Sequence, residues 1–169
     1  MIQVSALPVQ TNDFGQLFEN KFNKAVEQLI GRDVWKKEKE KVAPGGKPEN
    51  DEQATNLWKI DFASANIYQA EKWRQMKGGQ SFYNGKVGSK TSSTLSRSWD
   101  LTEEISRHPY PVTYIQGAKD FIDLDVIDHK KQLAGIETIE LITIENAGHN
   151  IWIDEPESFR KALFKALTK

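Results

Sequence analysis

The chain has 169 residues, of which 38% are hydrophobic and 28% charged, and this is the profile of one globular domain with a core of its own. Its 23 basic and 24 acidic residues leave a net charge of -1, so the overall charge favours neither nucleic acid nor an anionic membrane as a partner. The absence of cysteine excludes disulfides, thiolate metal sites and a cysteine nucleophile.

The first part of the chain is predicted to form one short strand followed by helices. Residues 2–6 are apolar enough for a buried strand that ends before Pro8. Residues 14–30 place apolar side chains at helical spacing, between N-cap candidates at 11–13 and a closing Gly31. Residues 33–43 continue as a strongly charged helix, and we interpret the charge run as a solvated face.

Aromatic side chains are concentrated in residues 52–77, which are predicted to form one or two helices after a loop rich in proline and glycine. We interpret Trp58, Phe62, Tyr68 and Trp73 as core or cap packing, with the lining of a pocket as the alternative. A polar, glycine- and serine-rich stretch follows up to residue 98. Its length within a compact domain predicts a functional or mobile loop.

From Trp99 onward the pattern alternates between helices and strands. A short helix after Trp99 precedes a strand over 112–117, a helix over 124–135, a strand over 139–144 and a last helix from Pro156. Short connections between such elements predict a parallel sheet with right-handed crossovers. No apolar run approaches the ~18 residues of a membrane span, and the first ten residues lack the pattern of a signal peptide.

Two polar residues follow the two predicted strands of this last part. Asp120 comes three residues after Gly117, and His149 lies in the loop after the strand over 139–144. Catalytic groups of parallel sheets lie beyond the carboxyl ends of the strands, so Asp120 and His149 are predicted to meet at hydrogen-bonding distance. A carboxylate on one imidazole nitrogen leaves the other free to act as a base toward a hydroxyl. Taken singly, each residue has a structural alternative: a turn or cap carboxylate for Asp120, and a loop histidine bonded to backbone for His149.

Residues 99–169 resemble the end of an α/β-hydrolase. The resemblance rests on Trp99-Asp100-Leu101, Pro111-Val112, Gly117-x-x-Asp120, Ala147-Gly148-His149 and Glu155-Pro156 before a final amphipathic helix. Within that superfamily the chain is most similar to the proline-iminopeptidase-like enzymes. The resemblance implies the C-terminal portion of an α/β-hydrolase: a core strand over 1–10, a helical cap over 11–98, and a C-terminal core over 99–169 with a short parallel sheet of about three strands. It also implies that Asp120 is the triad acid and His149 the triad base, without cofactor or metal.

The sequence departs from this family at the nucleophile. The family places its serine in a Gly-x-Ser-x-Gly elbow between a strand and a helix, and no such pentapeptide is present. Residues 79–83, around Ser81, come nearest but lack the final glycine. We therefore expect the cap and C-terminal part of a serine hydrolase for small esters, amides or N-terminal residues of peptides, inactive by itself. The alternative is a non-catalytic binding or assembly module.

Other candidates are weaker. Asp123 and Asp125 are fallback positions for the acid, and His108 is interpreted as a solvated loop residue. His129 lies near Asp125 on a predicted helix, where an exposed face is favoured over a metal site. An open edge on the first strand predicts a homodimer, or pairing with a missing N-terminal half. We expect a cytoplasmic location, with no nucleic acid or membrane as partner.

Overall fold

The computed structural model describes residues 1–13, 32–76, 97–122 and 129–168, together with positions 15, 16, 19, 20, 23, 24, 27, 86, 87, 90 and 94. The described chain has a mixed α/β fold. Its strands are β1 (Ile2–Val4), β2 (Gln10–Thr11), β3 (Trp99–Asp100), β4 (Val112–Gly117) and β5 (Ile139–Ile144). Its α-helices are α1 (Arg32–Val42), α2 (Asp51–Asn66), α3 (Thr102–Ser106), α4 (His129–Gln132), α5 (Ile151–Asp154) and α6 (Pro156–Leu167), with 3-10 turns at Pro44–Gly46 and Ala70–Gln75.

A parallel sheet with the strand order β1-β4-β5 forms the centre of the fold. The register aligns Ile2 with Thr113 and Val112 with Ile139, so the carboxyl ends of all three strands meet at one edge. Every residue of β4 is buried, as expected for the middle strand of a covered parallel sheet. The three-stranded parallel sheet predicted from the sequence is therefore confirmed.

Apolar side chains cover both faces of this sheet. On one face, Ala162 of α6 packs with Ile115 and Ile144. On the other face, Tyr114 packs with Val9 and Leu133, and burial raises the pKa of the Tyr114 hydroxyl above its ordinary value. The last helix begins at Pro156, as its sequence predicts, because the fixed φ of proline suits the first turn of a helix.

A short antiparallel ribbon of β2 and β3 is an element that the sequence analysis did not predict. It aligns Gln10 with Asp100 and Thr11 with Trp99, and the Nε1 of Trp99 donates to the Pro8 carbonyl at 2.8 Å. Strands of two residues are too short to show alternation, so the predictions placed a helix N-cap at 11 and a helix start near 99 instead. The ribbon brings the two ends of residues 12–98 together at one place, and the described helical part of this segment, residues 32–76, is called the helical insertion below.

Within the helical insertion, α1 and α2 pack around a core of their own. Trp35 of α1 is 3% exposed and contacts the buried Ile60 of α2. The charged face predicted for α1 is only partly solvated, because Glu38 accepts from Trp73 Nε1 at 3.1 Å and forms an ion pair with Arg74. A hydrogen bond from Lys41 is the main reason that the pKa of Glu38 lies below its ordinary value. The helix predicted over 14–30 and the glycine- and serine-rich stretch lie largely outside the described residues.

The outer side of β1 is bordered by an apolar cavity. Thr113 N–H donates to the Met1 carbonyl and Ser5 N–H to the Ile115 carbonyl, so the alternate backbone groups of β1 point away from β4. Within the described part of the chain, β4 is the one strand that pairs with β1. The cavity has a volume of about 660 Å³, and its described lining combines Gln3 of β1 with mainly apolar residues from the loop after β1, the start of β3 and α3. Among the residues that the structure describes, no helix has the length and apolarity needed to cross a membrane.

Candidate acid–histidine site

The site lies where β4 and β5 end side by side. After β4 the chain turns with hydrogen bonds from Ala118 N–H to the Ile144 carbonyl and from Lys119 N–H to the Ala147 carbonyl, both 2.9 Å long. A Cβ at Gly117 would lie 2.2 Å from the Gly148 carbonyl oxygen and 2.4 Å from that of Ala147. Only glycine permits this approach of the two loops, and the approach brings Asp120 next to His149.

The carboxylate of Asp120 is fully buried and accepts three hydrogen bonds. Its Oδ1 accepts from Ile122 N–H at 2.9 Å, and its Oδ2 accepts from Gln116 Nε2 at 2.6 Å and from His149 Nδ1 at 2.9 Å. An ionised carboxylate can only accept, so these contacts assign the imidazole proton to Nδ1. The second ring nitrogen, Nε2, is then left with a lone pair.

Two further bonds hold the backbone on either side of the imidazole. The Ser5 hydroxyl donates to the His149 carbonyl, and Gly148 N–H donates to Asp154 Oδ2 at 2.8 Å. The ring of Phe121 packs against the imidazole with a centroid distance of 5.4 Å. The His149 side chain remains 22% exposed while that of Asp120 is fully buried. The backbone at His149 is thus held by hydrogen bonds, and one side of its imidazole is exposed.

A cavity of about 350 Å³ lies beside His149, between the sheet edge and the helical insertion. Trp58 and Phe62 of α2 form part of its wall, with ring centroids 5.8 Å apart and side chains 38% and 39% exposed. Trp58 and Phe62 therefore line a pocket, which was the alternative to core or cap packing. Trp73 packs beside the core of the insertion. The described residues that line it are Leu7, Trp58, Asp61, Phe62, Asn66, Phe121, Ile122 and His149.

The structure brings the predicted pair Asp120 and His149 together at the predicted sheet edge. Of the remaining candidates, Asp123, Asp125 and Ser81 lie outside the described residues. His108 is partly exposed, and its Nδ1 lies 3.0 Å from the Tyr110 carbonyl.

The exposed helical face expected for His129 is wrong. This residue is fully buried at the start of α4, with its ring 6.3 Å from that of Tyr114, because the helix covers the face of β4. Within the described ranges, no group of three or more histidine, aspartate or glutamate residues is placed to hold a metal ion.

Three residues that contact the pair or its loop were not predicted from the sequence. Gln116 orients Asp120, Ser5 binds the His149 carbonyl, and Asp154 binds Gly148. Ser5 adopts a φ of 47°, an unusual value for a residue other than glycine, and this ends β1 at Val4. The sequence did carry a signal for Gln116. It is a long polar side chain directly before Gly117, in a strand that is buried throughout. No local pattern indicated the partners of Ser5 or Asp154.

Comparison of the chain with protein-family models gives no match, and comparison with curated proteins gives none either.

Proposed function

We propose that Asp120 and His149 are the acid and the base of a serine-hydrolase active site, in a chain that forms the cap and C-terminal part of an α/β-hydrolase. The observation that carries the proposal is the 2.9 Å contact between His149 Nδ1 and a buried carboxylate at the carboxyl edge of a parallel sheet. The partly exposed imidazole next to an apolar cavity supports it further.

The chemistry follows from the tautomer. With its proton on Nδ1, the imidazole accepts the proton of a hydroxyl at Nε2 while that hydroxyl oxygen attacks an acyl carbon. Asp120 stabilises the imidazolium formed in this step, and the imidazolium then protonates the leaving alcohol or amine. Water hydrolyses the resulting acyl-enzyme by the same route. The Ser5 hydroxyl donates to the backbone of His149 and not to its ring, so the nucleophile has to come from another segment.

The cavity beside His149 fits a substrate with a small apolar group. About 350 Å³ accommodates a short acyl chain or one side chain, held against Trp58, Phe62 and Phe121. Besides His149, Asp61 and Asn66 are polar residues of the described wall and are suited to a substrate amide or amine. Small esters, amides and the N-terminal residues of peptides meet this description.

We expect the chain alone to hydrolyse neither p-nitrophenyl acetate nor aminoacyl arylamides faster than its His149→Ala variant. The sequence contains no Gly-x-Ser-x-Gly elbow, and in triad enzymes the residual ~10³–10⁴-fold rate after loss of a triad residue depends on an oxyanion hole. A saturable rate that requires His149, or serine labelling by a fluorophosphonate, would show that a nucleophile is present after all.

The proposed acid–base role is tested directly by the ¹⁵N shifts of the His149 ring. We expect the Nδ1–H tautomer, with a bonded proton that disappears from the spectrum of the His149→Ala variant. If Nε2 carries the proton, or both nitrogens exchange freely, the imidazole is not prepared to accept from a hydroxyl and the proposed function is wrong. The coding sequence beside this chain supplies a second check, since a split hydrolase requires an in-frame elbow there.

A non-catalytic assembly module is the second candidate function, and the apolar cavity along β1 favours it. Alternate backbone groups of β1 point away from β4, and an open strand edge is a template for pairing with another strand. We expect a homodimer joined along β1 at micromolar concentration, or pairing with a segment that supplies the nucleophile. Size-exclusion chromatography with light scattering measures the mass. A clean monomer that binds no hydrophobic dye would contradict an open edge.

A further inference from the structure

A second buried carboxylate, that of Asp154 at the end of α5, joins the histidine loop to the helical insertion. Asp154 is fully buried. Its Oδ2 accepts from Gly148 N–H at 2.8 Å and from Tyr68 N–H at 2.9 Å, and its Oδ1 accepts from Gln69 N–H at 2.9 Å. One side chain therefore satisfies the backbone of two segments about 80 residues apart in sequence.

The backbones of the two segments also approach each other closely at this point. Asn150 N–H donates to the Asn66 carbonyl at 2.8 Å, and Gln69 Nε2 lies 3.3 Å from the Asn146 carbonyl oxygen. A Cβ on Gly148 would lie 2.9 Å from the Asn66 carbonyl oxygen and 3.0 Å from the Tyr68 nitrogen. Because the backbones are this close, a displacement of one segment has to displace the other.

We propose that Asp154 is a positioning residue that couples the end of α2 to His149. Gly148 directly precedes His149, so the orientation of the Gly148 N–H helps to fix the backbone position from which the His149 side chain extends. Tyr68 and Gln69 follow α2, whose Phe62 and Asn66 line the cavity beside the same imidazole. Asp154 thereby links the cavity wall that contacts a bound group to the histidine that reacts with that group. This inference rests on the proposed function.

Asp154→Asn is the sharpest variant, because it keeps the shape of the side chain and removes the charge. An amide has one acceptor oxygen, so it cannot accept from Gly148, Tyr68 and Gln69 together without turning its own NH₂ toward an N–H. We expect the ¹⁵N shifts of the His149 ring to move away from those of the wild type. We also expect amide exchange at Tyr68, Gln69 and Gly148 to accelerate together, by at least about tenfold.

Ser5→Ala is the matched control, since it removes a bond to the His149 carbonyl and leaves the bonds between Asp154 and the insertion in place. It is expected to leave amide exchange at Tyr68 and Gln69 unchanged. A folded Asp154→Asn protein with wild-type His149 shifts and wild-type exchange at Tyr68 would overturn the coupling. If the wild-type spectrum itself lacks the Nδ1–H tautomer, the proposed function fails, and exchange at the three amides still reports on the connection.

A measurement on the unmodified chain keeps the proposal testable if Asp154→Asn does not fold. When exchange is followed at rising, subdenaturing urea, amides released by one opening share a common free energy and a common denaturant dependence. We expect Tyr68, Gln69 and Gly148 to behave as such a group. Separate openings for Gly148 and for the insertion amides would show that the carboxylate does not couple them.

Discussion

Replacing Asp120 by asparagine is expected to reverse the tautomer of His149. The Oδ2 of Asp120 becomes an NH₂ group that donates to Nδ1, so the imidazole proton moves to Nε2. Gln116 can then turn its amide, because its Oε1 is buried and has no hydrogen-bond partner within the described structure. Once turned, Oε1 accepts from the new NH₂ group in place of the 2.6 Å bond to the carboxylate. The Asp120→Asn variant can therefore satisfy its buried hydrogen bonds and fold with the His149 proton on Nε2.

The ¹⁵N shifts of the imidazole show this reversal directly, and urea denaturation measures its cost. We expect the free energy of unfolding to fall by about 1–3 kcal/mol, the usual effect of disturbing a buried hydrogen-bonded group. In a complex with its nucleophile, the same substitution is expected to lower kcat by about 10⁴, as the wrong tautomer does in Ser-His-Asp enzymes. Asp51→Asn is the matched control, since it makes the same change at an exposed position of α2 that does not line the cavity beside His149. An unchanged tautomer in Asp120→Asn would contradict the assignment.

Gly117→Ala is expected to be the most damaging single-methyl substitution in the sheet. The added Cβ would overlap the backbone oxygens of Gly148 and Ala147 at 2.2 and 2.4 Å, and backbone cannot rotate away as a side chain does. Either β4 separates from β5, or the loop that carries His149 moves outward. We expect a loss of about 3 kcal/mol or more in the free energy of unfolding.

Urea denaturation of Gly117→Ala should be compared with that of Gly15→Ala. Among the described residues, a Cβ at Gly15 meets only the Oδ1 of Asp13, at an ordinary 3.6 Å. If Gly117→Ala is as stable as the control and keeps the His149 shifts of the wild type, the close approach of the two loops is not required.

The parts of this molecule that could be predicted from its sequence are those specified by local pattern. Apolar runs that end at Gly117 and before Gly148 located the two strands, and strand ends fix where Asp120 and His149 lie. His129 was misjudged because its burial depends on α4 lying over β4, which is a tertiary fact. The contact of Ser5 with His149 and that of Asp154 with Tyr68 each span more than 80 residues of sequence, so no local spacing could indicate them.

The β2–β3 ribbon has a consequence for how this chain tolerates changes of length. Because Thr11 lies opposite Trp99, residues 12–98 form a loop whose ends are already held together by paired backbone. The entropy of closing such a loop rises only with the logarithm of its length, so a doubling costs about 0.6 kcal/mol. Segments of quite different size can therefore be exchanged at this point while β1, β4 and β5 keep their register. The cavity wall contributed by α2 can thus be remodelled by insertion or deletion while the strands keep their register, as long as Tyr68 and Gln69 keep their bonds to Asp154.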